Sequence, residues 1–522
     1  MDALDSTMLT ARPAARVDDL GIPRGLVEDL FARRVFVERE TTIHNVSFGL
    51  GITMPVAKEI ADALRDKKII EYYGMEGRDY RIGLSDTGYR TTSERMVGAS
   101  YAGSLPVSLA TYTETILRQK SDVTINRETI RAAFGDLVVA DEMLDQLGPA
   151  FLSDGAIFLY GPPGTGKTSL AERMIRLHTD AVLVPRAVEV DGSIITVYDP
   201  ATHKAVDPQP PGLDQRWVLC NRPLVLVGGE LNARMLDLEY DSISGAYKAP
   251  IQMQANNGIL VVDDFGRQQL LPTELLNRWI VPLSRGIDFL RLVNGSKFTV
   301  PFELKLVAST NLDPHELGDE AFLRRLRNKV YVGAVTETAF NWILVRAAKA
   351  KNINVNAEAA HHLRRVSEHF IGELRPYVAI DFLDLMTGIA EYEGLPRALD
   401  IKMIDRVAQI YFVTSGDEGP PPAAAAQQMS APPAQPGPPM DANAQQQAAM
   451  RALAAQQLNQ QQATAAPAAA PSSAQHADVS QTPAQPAPVQ QPPVQHAPQA
   501  YAAPPADQRS QPAQVYSQQA GV

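Results

Sequence analysis

The stretch GPPGTGKTS at 161–169 has the spacing G-x-x-x-x-G-K-[ST], set between an apolar run, Ile157–Tyr160, and a helical pattern starting near Lys167. A glycine-rich turn in that setting points backbone N–H groups inward, where they cradle phosphate oxygens, and the helix N-terminus adds a favourable partial charge. Gly161, Pro162, Pro163, Gly164, Thr165, Gly166 and Ser169 would shape the cradle. Lys167 would neutralise the β and γ phosphates of ATP, and the Thr168 hydroxyl would ligate Mg²⁺. A glycine-rich turn with an incidental Lys–Thr pair is the bland alternative, and the flanking strand and helix count against it.

Such a loop needs a carboxylate on a neighbouring strand, and NGILVVDDF at 257–265 supplies two. Asp263, at the end of the apolar run, is expected to hold Mg²⁺ through water. Asp264 is expected to orient or deprotonate the attacking water. Further on, KLVAST delivers Asn311 to a strand end, where its amide could hold that water against the γ-phosphate. The segment DEAFLRRLRNKVYV then presents Arg324, Arg325 and Arg327 on a helical pattern.

The elements that must position these groups follow from periodicity. Residues 146–335 alternate strand and helix patterns, the signature of a parallel α/β sheet. Residues 336–414 are helical throughout and form an all-α module. Ahead of them, residues 18–96 read as helix (25–38), helix (41–52), helix (53–68), two strands around MEGRD, and a last helix. Thr41 or Thr42 caps the second helix, and Val56, Ile60 and Leu64 form an apolar stripe on the third. That order, ending in LSDTGYR, resembles a winged helix-turn-helix domain. The expected organisation is a flexible start (1–17), a winged-helix-like domain (18–96), a connector (97–145), the core (146–335), a helical lid (336–414) and a Pro/Ala/Gln-rich tail (415–522).

The order of motifs resembles the AAA+ branch of P-loop ATPases over 130–414. VVDDF is similar to the second acidic motif, ASTN to the polar sensor and FLRRLR to the arginine-finger segment. The stretch YDSISGAYKAPIQMQANNGILVVDD and the hairpin before ASTN resemble the branch with an insert in its second helix, which includes MoxR-type ATPases, magnesium chelatase subunits and enhancer-binding activators. The resemblance implies a homo-oligomeric ring, commonly hexameric, with ATP at subunit boundaries and Arg324 or Arg325 reaching the neighbour's γ-phosphate. It also sets SISGAY, 242–247, where enhancer-binding activators carry a partner-contacting loop, so Tyr247 is expected at a pore or partner surface. Two positions depart from the family. The second acid is Asp264 rather than Glu, and the lid position that usually carries a basic residue is Ile380, with Arg375 five residues earlier as the available substitute. Residues 184–238 exceed a bare core and suggest an inserted hairpin, with His203 in a loop on the surface.

Composition bounds the rest. The 522 residues carry a formal net charge of −11, which argues against a protein that coats nucleic acid or an anionic membrane. One cysteine, Cys220, excludes an intramolecular disulfide framework and fits a reducing, cytoplasmic setting. No apolar run approaches the roughly 20 residues that span a bilayer. From Gly416 onward only seven residues are charged and large apolar groups are scarce, so the tail is expected to be disordered. Over 18–95, twelve Lys or Arg face fourteen Asp or Glu, a balance that favours protein docking over DNA for the N-terminal domain. Three functions compete: an ATP-driven remodeller of a protein partner, a DNA-linked transcriptional regulator or DNA-processing ATPase, and a non-hydrolysing nucleotide switch.

Overall fold

The structure is a computed structural model that describes residues 11–121, 124–153, 155–317 and 326–412. The N-terminal module opens with α1 (Arg24–Glu38), the short strand β1 (Thr41–Thr42), α2 (Ile43–Leu50) and α3 (Met54–Asp66). Thr42 caps α2, accepting a hydrogen bond from the backbone N–H of Asn45. On α3 the stripe Val56, Ile60 and Leu64 is buried, as the 3.6-residue period requires. The strands β2 (Ile70–Glu76) and β3 (Asp79–Leu84) follow, then α4 (Asp86–Met96). β3 lies between β1 and β2 in an antiparallel sheet.

A connector adds β4 (Val107–Ser108), α5 (Leu109–Arg118), α6 (Arg127–Ala133) and α7 (Asp141–Leu152). The core begins with β5 (Ile157–Tyr160) and α8 (Lys167–Arg173). An insert then interrupts it: β6 (Ala181–Pro185), β7 (Ala187–Val190), β8 (Ser193–Thr196) and β9 (Trp217–Asn221). After β10 (Leu224–Val227) come the hairpin β11 (Glu239–Asp241) and β12 (Ala246–Lys248), α9 (Ile251–Gln254), β13 (Ile259–Val262) and α10 (Pro272–Arg285). A second hairpin, β14 (Ile287–Arg291) with β15 (Lys297–Pro301), precedes β16 (Lys305–Thr310) and β17 (Asn328–Tyr331).

Five of these strands form one parallel sheet in the order β10-β13-β16-β5-β17. Both faces of a parallel sheet are covered, so its strands are continuous apolar runs. All four residues of β13 are buried. Their alternation splits the core in two: Leu260 and Val262 pack with Phe158, Leu306 and Trp279 on one side, while Ile259 and Val261 pack with Leu159, Val307 and Leu170 on the other. This is the α/β fold class expected from the sequence.

The insert strands pair in a second sheet, β11-β12-β8-β7-β4, with β6 and β9 as a separate antiparallel pair. This sheet shares an apolar core with the N-terminal module: Ala187, Ile194 and Ala246 pack with Leu50, Val56 and Ile60. The junction is fastened by a buried ion pair. Arg216 donates to Asp214 from Nε and Nη2, at 3.0 and 2.8 Å, and its Nη1 donates to the carbonyls of Leu20 and Pro106. The helical module comprises α11 (Glu337–Ala350), α12 (Ala357–Ile371), α13 (Pro376–Glu393) and α14 (Ile401–Tyr411) around its own core. Among the described residues, no helix is long and apolar enough to cross a membrane.

Two side chains differ from expectation. His203 is buried rather than on the surface: its Nδ1 accepts from the Asp199 N–H and its Nε2 bonds the Gln254 carbonyl. Burial lowers its pKa, so it is held as a neutral structural group. Tyr247 is likewise buried, with its hydroxyl accepting from Val293 N–H, because β12 pairs on both sides within the inserted sheet. It cannot present itself to a pore or partner. Ile243, in the turn before it, is the exposed apolar residue there.

Candidate phosphate and metal site

β5 delivers the chain to the glycine-rich loop at the C-terminal edge of the parallel sheet. Gly161 has φ +142°, and a Cβ there would sit 2.3 Å from the Val332 carbonyl oxygen, so only glycine lets the loop leave β5 beside β17. Gly166, in the left-handed region, starts α8. Lys167 is buried at the head of that helix, its Nζ donating to the carbonyls of Gly161 at 3.0 Å and Pro162 at 2.7 Å. The Thr165 hydroxyl also donates to the Pro162 carbonyl, which folds the cradle into a closed turn. Burial lowers the Lys167 pKa; Asp263 and Asp264 oppose that shift and Arg375 adds to it. Pro163 and Gly164 form the exposed rim, and Ser169 lies in the first turn of α8, half-buried.

Asp263 lies one residue past β13, its N–H bonded to the Val227 carbonyl on β10. Its Oδ2 accepts from Thr168 Oγ1 at 2.8 Å, and its Oδ1 accepts from the Ser309 hydroxyl on β16. Asp264 follows at φ +48°, a conformation that Asp tolerates better than most residues. Its Oδ1 accepts from Asn311 Nδ2 at 3.1 Å. Thus Thr168, Asp263, Asp264 and Asn311 are drawn together from the ends of two adjacent strands, β13 and β16, and the first turn of α8. Thr168 and Asp263 are hard oxygen donors, the set Mg²⁺ takes, so the residues fit that ion.

Supports that the sequence reading did not single out complete the turn. Gln268 donates from Nε2 to the carbonyls of Asp263 at 2.9 Å and Asp264 at 3.1 Å, and accepts from Gly266 N–H at 2.8 Å. Phe265 N–H bonds the Ser309 carbonyl, and Thr310 Oγ1 donates to the Phe265 carbonyl. Ser309 had a signal, since it lies two residues before Asn311 on the same strand path. Gln268 had none.

The helical module reaches the loop through the start of α13. Arg375 donates from Nη1 to the Pro163 carbonyl at 3.4 Å. The Tyr377 ring lies against Gly164, where a Cβ would come within 2.0 Å of it. Ile380, further along α13, is 41% exposed and makes no such approach. Arg324 and Arg325 lie outside the described residues. Arg327 lies just before β17, its aliphatic carbons 3.7 Å from the place of a Cβ on Gly155.

Residues 336–410 match a family described as a domain of unknown function, DUF8689. No curated protein matches the chain in sequence. Solved structures similar to it include the Thermotoga maritima RuvB Holliday junction branch migration motor, at 15% identity over 55% of this chain and 70% of that one, with a TM-score of 0.29. A point mutant of the same RuvB gives 13% identity over 55% and 71% of the two chains, with a TM-score of 0.31. Brucella abortus NtrX gives 12% identity over 61% and 59%, with a TM-score of 0.34. Likenesses of this strength decide neither activity nor partner.

Proposed function

We propose that the chain is a Mg²⁺-dependent ATPase of the AAA+ type that works as a homo-oligomeric ring, commonly a hexamer, on a protein partner. The observation that carries this reading is the convergence of Thr168 on Asp263, at 2.8 Å, beside the contact of Asn311 with Asp264, at 3.1 Å. Mg²⁺ bound with ATP would offset charge on the phosphates. Lys167 binds the β and γ phosphates once it exchanges its loop carbonyls for them. Asp264 accepts a proton from the attacking water while Asn311 fixes that water in line. Arg375 supplies the lid's positive charge in place of the family's residue at 380, and Arg324 or Arg325 acts on the neighbouring subunit's nucleotide.

A protein partner is favoured over DNA because the cations on α3 and at its C-terminal cap are already engaged. Lys67 pairs with Glu28 at 2.5 Å and Arg65 with Asp62 at 3.3 Å, while Lys58 lies 6.0 Å over the Tyr80 ring. A groove-reading helix needs such charges for phosphates. The test is Lys167→Ala. ATP binding or hydrolysis is expected to be lost, and unchanged hydrolysis overturns the reading. Tight ATP binding with no turnover in the wild type would instead indicate a nucleotide switch.

A further inference from the structure

Between the N-terminal module and the insert lies a groove of about 570 Å³, and a second hollow of about 230 Å³ continues it past Gly51 and Leu213. One wall is the end of α2. There Ile43, Val46 and Leu50 point into the module core, which leaves Phe48 on the opposite side of the helix, 71% exposed. The other wall carries Arg186, in the corner between β6 and β7. Its Nε donates to the Gln215 carbonyl at 3.1 Å and its guanidinium lies 5.5 Å over the Tyr198 ring, but it forms no ion pair among the described residues. Trp217 also lines the groove. It is 2% exposed, and its indole N–H is buried with no acceptor among the described residues. The two walls are held in fixed relation by the Arg216–Asp214 pair and its bonds to Leu20 and Pro106.

Arg186 and Phe48 ask for two different things from a ligand. A guanidinium without a carboxylate calls for an anion, and its planar fork suits a carboxylate. An exposed phenyl ring at a groove mouth calls for apolar cover. An extended peptide bearing Asp or Glu next to a bulky apolar residue satisfies both, and the groove has the size of a site for a few residues. A nucleic-acid strand satisfies them less well, because its affinity comes from neutralising several phosphates and Arg186 is a single cation. We infer that this groove is a docking site for an extended acidic–apolar peptide segment of a protein partner. The inference deepens the proposed action on a protein partner and rests on it for the source of the peptide, not for the ATPase chemistry.

The test uses the full chain. A displayed library of random seven-residue peptides is panned against it, and a fluorescein-labelled peptide of the enriched sequence is titrated by anisotropy. Enrichment of Asp or Glu beside an apolar residue is expected. Arg186→Gln and Phe48→Ala, both at exposed positions, should each weaken binding tenfold or more, with ATP hydrolysis in the absence of peptide unchanged. The inference is overturned if nothing is enriched, if the enriched peptides lack carboxylates, or if Arg186→Gln binds them as tightly as wild type. It is also overturned if a labelled single-stranded oligonucleotide, and not the peptide, is the ligand that Arg186→Gln loses. Hydrolysis measured on the same samples separates the two readings. Peptide binding without wild-type hydrolysis sinks the ATPase and leaves the groove, and hydrolysis without peptide binding does the reverse.

Discussion

Asn311 donates from Nδ2 to Oδ1 of Asp264 at 3.1 Å, across the ends of the adjacent parallel strands β16 and β13. The amide therefore orients the carboxylate, and both face the loop that holds Lys167. Asp264→Asn removes the proposed proton acceptor but keeps a residue that tolerates φ +48°. ATP is expected to stay bound while turnover falls by about 10²–10⁴, the usual contribution of a general base. Filter binding of ATP and phosphate release read the two effects separately. A wild-type rate in this variant would move the base elsewhere.

The lid contact predicts a different kinetic signature. Arg375 and Tyr377 touch the rim of the phosphate loop, not the acid pair. Arg375→Gln is expected to raise KM for ATP several-fold with a smaller change in kcat, because it weakens nucleotide holding more than water activation. Steady-state kinetics over a range of ATP concentrations decide this. An unchanged KM would reduce the contact to packing.

The junction between the N-terminal module and the insert should be brittle. Arg216 and Asp214 have side chains only 7% and 4% exposed, and no other cation pairs with Asp214 among the described residues. Arg216→Ala leaves a buried carboxylate and two carbonyls without their donor, at a cost of about 3–5 kcal/mol. Urea denaturation should show the loss, and limited proteolysis should locate it near residues 11–21 and 97–108.

His178 is one identifiable source of acid sensitivity, beside the buried His203. His178 is held between Ser121, whose hydroxyl lies 3.2 Å from Nδ1, and the Phe151 ring. Burial, then the positive charges of Arg222 and Lys305, push its pKa down to about 4, against the pull of Asp180. In the unfolded chain it titrates near 6.5, so between pH 6.5 and 4 the unfolded state binds more protons and stability falls as pH falls. At about 1.4 kcal/mol per unit, this single group accounts for up to about 3 kcal/mol. Urea midpoints at pH 7 and pH 5 should differ less in His178→Gln than in wild type, and an equal difference would assign the acid limb to other groups.

Sequence legibility followed the range of the interaction. The cradle around Lys167 spans nine consecutive residues, and Asp263 ends an apolar run, so both are written in short local patterns. The helices of the N-terminal module were equally plain, since Val56, Ile60 and Leu64 recur at the helical period. Tyr247 and His203 read wrongly because hairpin and loop positions suggest exposure, whereas β11 and β8 flank the strand of Tyr247 and His203 folds against Tyr198 and the Gln254 carbonyl. Gln268 left no trace, because any polar residue is acceptable in a turn until its partners are known.

The sequence by itself determined the glycine-rich loop between strand and helix, the strand ending at Asp263 and the alternation that builds a parallel sheet, since each depends on local spacing and on which residues must leave water. Only the tertiary structure decided that Arg375 and Tyr377, rather than position 380, meet the loop, that Ser309 shares Asp263 with Thr168, and that Phe48, Arg186 and Trp217 line one groove. Those relationships join segments tens to hundreds of residues apart. They are fixed by strand order and by the burial of whole faces, which no local pattern encodes.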